Sequence, residues 1–142
     1  MVRGRPEPDP ALVARVASCA LTLPEAYEED AWTGVRWRVR KKTFAHALVT
    51  TPDRAHDHYD LDLAGPTPIL TFRSSGEELL ALTLAGRPFF KPPWSPTVVA
   101  MLLGDDTDWD EVGELVTESY RLLAPQKLVA RLPSIGPTDS PG

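Results

Sequence analysis

Residues Val35 to Val39 alternate Val, Arg, Trp, Arg, Val. That period of two predicts a strand buried on one face. Thr43–Val49 is rich in β-formers and small apolar residues, so it is expected to pair back as the second strand of a hairpin. Lys41-Lys42 is the expected turn, without the Asn-Gly that tight hairpins prefer. Pro68–Phe72 predicts another strand, and Phe89–Lys91 and Thr97–Leu103 the last two, split by Pro92-Pro93-Trp94. A weaker alternation of Tyr59, Leu61 and Leu63 places a strand over His58–Leu63.

Helical spacing appears elsewhere. Leu12, Val13, Val16, Cys19 and Ala20 predict a helix opened by Asp9 as N-cap and Pro10 at the first position. It should end near Leu21–Leu23, with a short helical turn following at Pro24–Glu29. Ser75-Gly76-Glu77-Glu78 has the cap-then-acid pattern of a second helix start, and Gly86 is its expected stop. Trp109, Val112, Val116, Tyr120 and Leu123 form the apolar stripe of a final helix, capped by Thr107 and ended by Pro125. Runs of strands interrupted by helices, without strict β-α-β alternation, predict an α+β fold with an antiparallel sheet.

The length of 142 residues suits one domain. It is expected over residues 9–132, with a disordered segment at 1–8 and a flexible tail at 133–142, where prolines gather. The single cysteine, Cys19, excludes an internal disulfide. No apolar run approaches the roughly 20 residues that span a bilayer, and no apolar leader opens the chain. A cytoplasmic monomer that does not engage membranes is the expectation.

A net charge of −5 argues against a protein that coats nucleic acid over its whole surface. The charge is segregated, however. Acids crowd Glu25–Asp30 and Asp105–Glu118, whereas Arg36, Arg38, Arg40, Lys41 and Lys42 follow one another in the hairpin. Strand parity puts the three arginines on the face opposite Val35, Trp37 and Val39, and the lysines extend the positive charge into the turn. Guanidinium forks suit phosphate oxygens, so this hairpin is the candidate nucleic-acid-binding site. A solvated outer face neutralised by the nearby acids accounts for the same residues.

Two further clusters have simpler readings. Asp105, Asp106, Asp108, Asp110 and Glu111 sit where a helix dipole favours negative charge, and Glu111, Glu114 and Glu118 continue along one side. Carboxylates in such a ridge attract hard cations. His56, His58, Asp60 and Asp62 would share one face of an extended strand, a donor set that suits zinc or iron, but a polar outer strand explains them equally. His46 reads as a histidine at the edge of the core. The sequence has no Gly-rich phosphate loop, no Gly-x-Ser-x-Gly, no CxxC and no HExxH. No catalytic residue and no cofactor are expected.

Two segments are distinctive in order and spacing. The first is Leu23-Pro24-Glu25-Ala26, Trp32 and then Arg38-Val39-Arg40-Lys41-Lys42-Thr43-Phe44-Ala45. The second is Phe89-Phe90-Lys91-Pro92-Pro93-Trp94 followed by Asp108-Trp109-Asp110-Glu111-Val112 and Glu118-Ser119-Tyr120-Arg121-Leu122. Together they resemble the MmcQ/YjbR family of small bacterial proteins, from about Pro10 to Leu132. The resemblance implies a CyaY-like, frataxin-type sandwich of antiparallel sheet and helices. Members are commonly described as DNA-binding proteins, which makes DNA the expected partner, bound through phosphates without sequence preference. The resemblance also implies that Trp32, Phe44, Trp109 and Tyr120 are core residues and that Ser119 is no nucleophile. Lys41 stands where the family often has a turn glycine. A protein-interaction or small-ligand adaptor using the sheet face is the alternative, and a frataxin-like metal carrier is a third.

Overall fold

The computed structural model describes residues 7–132. Apart from Glu7 and Pro8, which are irregular, the two expected disordered ends lie outside the described residues. The elements run α1 (Pro10–Ala20), β1 (Tyr27–Asp30), β2 (Val35–Val39), β3 (Lys42–Thr50), α2 (Pro52–Tyr59), β4 (Thr67–Arg73), α3 (Gly76–Ala85), β5 (Phe89–Phe90), β6 (Val98–Leu102), α4 (Trp109–Leu123) and α5 (Gln126–Val129). The six strands make one antiparallel sheet in the order β1-β2-β3-β4-β6-β5. The architecture is α+β.

Side-chain caps set the starts of α1 and α4, whereas Ser75 precedes α3 without a side-chain cap bond. The Asp9 carboxylate accepts from the Ala11 N–H at 2.9 Å, with Pro10 at the first helical position. The cap of α4 is Asp108 and not Thr107. Its carboxylate accepts from the N–H groups of Asp110 and Glu111 at 3.1 and 3.2 Å, placing negative charge at the positive end of the helix. Thr107 instead accepts from the Gly104 N–H at 2.7 Å and closes the preceding loop. Pro125 follows the end of α4 and itself caps the short α5, an element absent from the periodicity reading.

Two segments differ in type from the sequence expectation. In the region expected as a helical turn at Pro24–Glu29, the second half, from Tyr27 on, is edge strand. Glu25 takes a left-handed φ of 60°, which breaks any helical turn, and β1 then pairs with β2. The acids find cross-strand partners there: Trp37 Nε1 donates to Glu28 at 3.0 Å, and Glu29 meets two arginines. The expected strand over His58–Leu63 is displaced by helix α2, which begins with Pro52 at its first position and Asp53 in its first turn. Asp60 ends it in the left-handed conformation, where the Leu61 N–H reaches the Ala55 carbonyl at 3.0 Å. His56, His58, Asp60 and Asp62 therefore share no strand face.

Helices α1 and α4 pack against each other and cover one face of the sheet. Val16 and Ala20 of α1 and Val112, Val116 and Tyr120 of α4 meet Trp37, Val39, Phe44, Leu70, Phe72 and Met101. Trp109 and Leu123 lie at the margin of this core. A β-bulge shapes its centre: Trp37 opposes Ala45 and Arg38 opposes Thr43, leaving Phe44 as the extra residue. Phe44 and Ala45 are consequently both buried, and Phe44 meets Tyr120 edge-to-face at 5.4 Å. Ser119 fixes the bulge from α4. Its hydroxyl donates to the Phe44 carbonyl at 2.6 Å and accepts from the Arg73 N–H at 2.8 Å.

The second face is covered only in part. Tyr59 of α2 packs on Phe90 at 4.9 Å, and Ile69, Val98 and Ala100 are buried outside the main core. The rest of that face, toward the β2–β3 hairpin, is open.

Candidate functional site

The β2–β3 hairpin closes through a two-residue turn at Arg40 and Lys41, with Val39 opposite Lys42. Lys42 therefore opens β3, one residue from the expected Lys41-Lys42 turn. Both turn residues are left-handed, with φ of 49° for Arg40 and 68° for Lys41. That is the geometry of a type I′ turn, normally filled by Asn-Gly. Here each side chain carries a left-handed penalty of roughly 1–2 kcal/mol. The Arg38 guanidinium donates to the Lys41 carbonyl and steadies the turn.

The three arginines are not equivalent to free surface cations. Glu29 lies opposite Arg36 on β1 and receives Arg36 Nε at 2.7 Å and the Arg38 guanidinium at 3.1 Å. Arg36 and Arg38 thus share a strand face, as parity predicts. Arg40 leaves the strand, and its Nε and terminal nitrogen reach Glu25 at 2.8 and 3.3 Å. The hydrogen bond from Arg36 holds the Glu29 carboxyl below the usual carboxylate range, and that from Arg40 does the same for Glu25. Lys41 and Lys42 are exposed and form no ion pair among the described residues. The segment from Glu25 to Lys42 holds four acids (Glu25, Glu28, Glu29, Asp30) and five bases, a net of +1 concentrated at the hairpin tip.

A second feature lies beside the hairpin. Cross-strand partners run Glu29, Arg36, His46, Thr71, Ala100 and Phe90 in one row across the second sheet face. Over the β2, β3 and β4 part of this row sits a trough of about 400 Å³. Arg36, Thr43, His46, Thr71 and Arg73 line it, with Trp32 at one side and Trp94 at the other. Trp32, on the β1–β2 turn, is 85% exposed, and Trp94, on the β5–β6 loop, is 60% exposed.

Both walls are fastened to the floor. His46 Nε2 lies 2.6 Å from the carbonyl of Thr33, the residue after Trp32. Burial pushes the His46 pKa down, so the neutral ring donates this bond at physiological pH. On the other side, Arg73 donates to the Thr97 hydroxyl at 2.7 Å. The Lys91 ammonium donates to the carbonyls of Pro92 and Ser95, which bracket Trp94, and desolvation lowers its pKa.

The family model described as YjbR matches residues 21–122, well over half of the chain. The chain belongs to the YjbR family. A crystal structure of a protein from Pseudomonas syringae, the product of a structural-genomics programme, aligns with a TM-score of 0.50 at 12% identity. The alignment covers 70% of this chain and 78% of that one, a likeness of fold. No curated protein matches the chain.

Within this YjbR domain, Phe44 and Tyr120 are core residues, but Trp32 is not. The resemblance to the family placed it in the interior, whereas its position beside the Thr33-Gly34 turn leaves it on the surface. Trp94, Arg73 and His46 were not among the expected binding residues; the register of β3 and β4 and the loop before β6 bring them together, and only Trp94 falls in one of the distinctive segments. Ser119 is fully buried and bonded to backbone on both sides, which fits packing and leaves no room for nucleophilic chemistry. The Cys19 thiol donates to the Val16 carbonyl, and burial raises its pKa, which disfavours the thiolate. Asp110, Glu111, Glu114 and Glu118 line a cleft along α4. Among the described residues no group of three or more His, Cys, Asp or Glu is arranged to hold a metal ion. Among the same residues no helix is long and apolar enough to cross a membrane.

Proposed function

We propose that the chain is a non-enzymatic DNA-binding protein that meets phosphates at the tip of the β2–β3 hairpin. The observation that carries this reading is Lys41. It is exposed and unpaired among the described residues, and it occupies a left-handed turn position that costs it stability and that glycine would fill without strain. Lys42 adds a second cation beside it. Arg36, Arg38 and Arg40 stand behind them as a pre-positioned layer, held by Glu25 and Glu29. Their net contribution is small, so binding is modest, phosphate-directed and strongly weakened by salt. The frataxin-type sandwich belongs to the same proposal, supported by two helices packed on one face of an antiparallel sheet.

Restoring the turn glycine separates charge from fold. Lys41→Gly is expected to stabilise the protein by about 1 kcal/mol, because it relieves the left-handed strain. The same change is expected to weaken duplex DNA binding about threefold, through loss of one phosphate contact. Denaturant titration and fluorescence anisotropy measure the two effects on one sample. Unchanged affinity would remove Lys41 from the contact surface.

A sheet-face adaptor is the second reading. The trough walled by Trp32 and Trp94 favours it, since large exposed aromatics beside a cationic floor mark a binding surface.

A further inference from the structure

We infer that the trough between Trp32 and Trp94 is a site for an unpaired nucleotide, with its base on the tryptophan rings and its phosphate at Arg73. The inference rests on the DNA reading above and extends it from duplex phosphates to exposed bases.

Three observations lead there. The first is aromatic exposure. Stacking on a flat indole gives every base a favourable face without reading sequence. Trp32 and Trp94 are among the most exposed large apolar side chains of the described residues, and both border one cavity. Leu80 and Leu84 on α3 are similarly exposed, but neither lines this trough.

The second is charge. Arg36 is occupied by Glu29, whereas Arg73 has no carboxylate partner among the described residues. Its guanidinium spends one donor on Thr97 and keeps others for an anion. The trough has no acidic lining residue, which sets it apart from the clefts beside α4. An anion is therefore the complementary ligand.

The third is fastening. His46 holds the turn that carries Trp32, and Arg73 and Lys91 hold the loop that carries Trp94. Walls fixed before binding reduce the ordering cost of a stacked complex. At about 400 Å³ the trough has the scale of a small-ligand site, too small for a duplex and suited to one splayed nucleotide.

The test compares labelled oligo(dT), its duplex with oligo(dA) at equal length, and free thymidine monophosphate, at one low salt concentration. Oligo(dT) is expected to bind more tightly than the duplex and to quench tryptophan emission. Trp32→Ala and Trp94→Ala are each expected to weaken oligo(dT) binding about tenfold, leaving duplex binding unchanged. Both side chains are mostly exposed, so the fold should survive their removal. Arg73→Gln should weaken oligo(dT) binding and Arg73→Lys should restore most of it. Thymidine monophosphate binding as tightly as oligo(dT) would identify a free nucleotide, not a strand, as the ligand of the same site. If the duplex binds through Lys41 and Lys42 while the tryptophan variants change nothing, the trough inference falls and the hairpin reading stands. If oligo(dT) binding depends on tryptophan but the duplex does not bind, the hairpin reading falls and the trough stands. Absence of binding to all three probes overturns both.

Discussion

Replacing Gly34 by alanine is expected to destabilise the protein by about 3–5 kcal/mol. Gly34 has a φ of +76°, and a Cβ there would lie 2.0 Å from the Ala47 carbonyl oxygen and 3.0 Å from Leu48 Cα. These are backbone atoms of β3, so no side chain can swing aside. Relief requires β2 to separate from β3 at Val35 and Ala47, the end of the ladder on which Trp37 is buried. The same turn carries Trp32, so the trough would lose a wall with the fold. Urea unfolding should show a midpoint lowered by about 2 M. Gly65 is the control: a Cβ there meets nothing within 4 Å, and Gly65→Ala should leave the midpoint nearly unchanged. A Gly34→Ala midpoint equal to the parent would show that β2 and β3 do not pack as described.

Ser119→Ala is expected to cost about 2–4 kcal/mol. The hydroxyl sits in a fully buried position and serves two backbone groups from different strands, the Phe44 carbonyl and the Arg73 N–H. Alanine leaves both facing an apolar methyl, and each unpaired group loses the hydrogen bond that offsets its desolvation. One of those groups belongs to the β3 bulge and the other to the end of β4 that carries Arg73. Ser119→Ala should therefore loosen the trough floor while leaving the helix itself intact, since Ser119 contributes nothing to the α4 cap. Thermal and urea unfolding measure it. A loss below about 0.5 kcal/mol would mean that water or another donor replaces the hydroxyl.

The frame was readable because its signals are local. Val35–Val39 alternates, Asp9-Pro10 caps, Gly86 stops a helix, and the Val112, Val116 and Tyr120 stripe faces the core. Local signals competed at Thr51–Leu63, where Pro52 and Asp53 specify a helix start and outweigh the alternation of Tyr59, Leu61 and Leu63. At Tyr27–Asp30 the acids become a strand because arginines and Trp37 wait across the ladder, a cross-strand effect that no window of sequence contains.

The candidate site was legible only in part. The hairpin cations stand out as a run, but their neutralisation by Glu25 and Glu29 depends on where β1 pairs. The bulge at Phe44 breaks the alternation of β3, burying Phe44 against Tyr120 while His46 faces the opposite side of the sheet. Trp32, His46, Arg73 and Trp94 are scattered along the chain and meet only through the register of β2, β3 and β4 and the loop before β6.

The placement of phosphate contacts at Lys41 and Lys42 is tested most directly by titrating a short duplex DNA across a series of salt concentrations. Wild-type protein is expected to bind at low salt, with log affinity falling against log salt at a slope of about −2, the value for two phosphate contacts. Lys41→Glu/Lys42→Glu, altered only at exposed positions, should keep its fold and lose this binding. No binding by the wild type at low salt, or the same affinity and slope in the lysine variant, would contradict it.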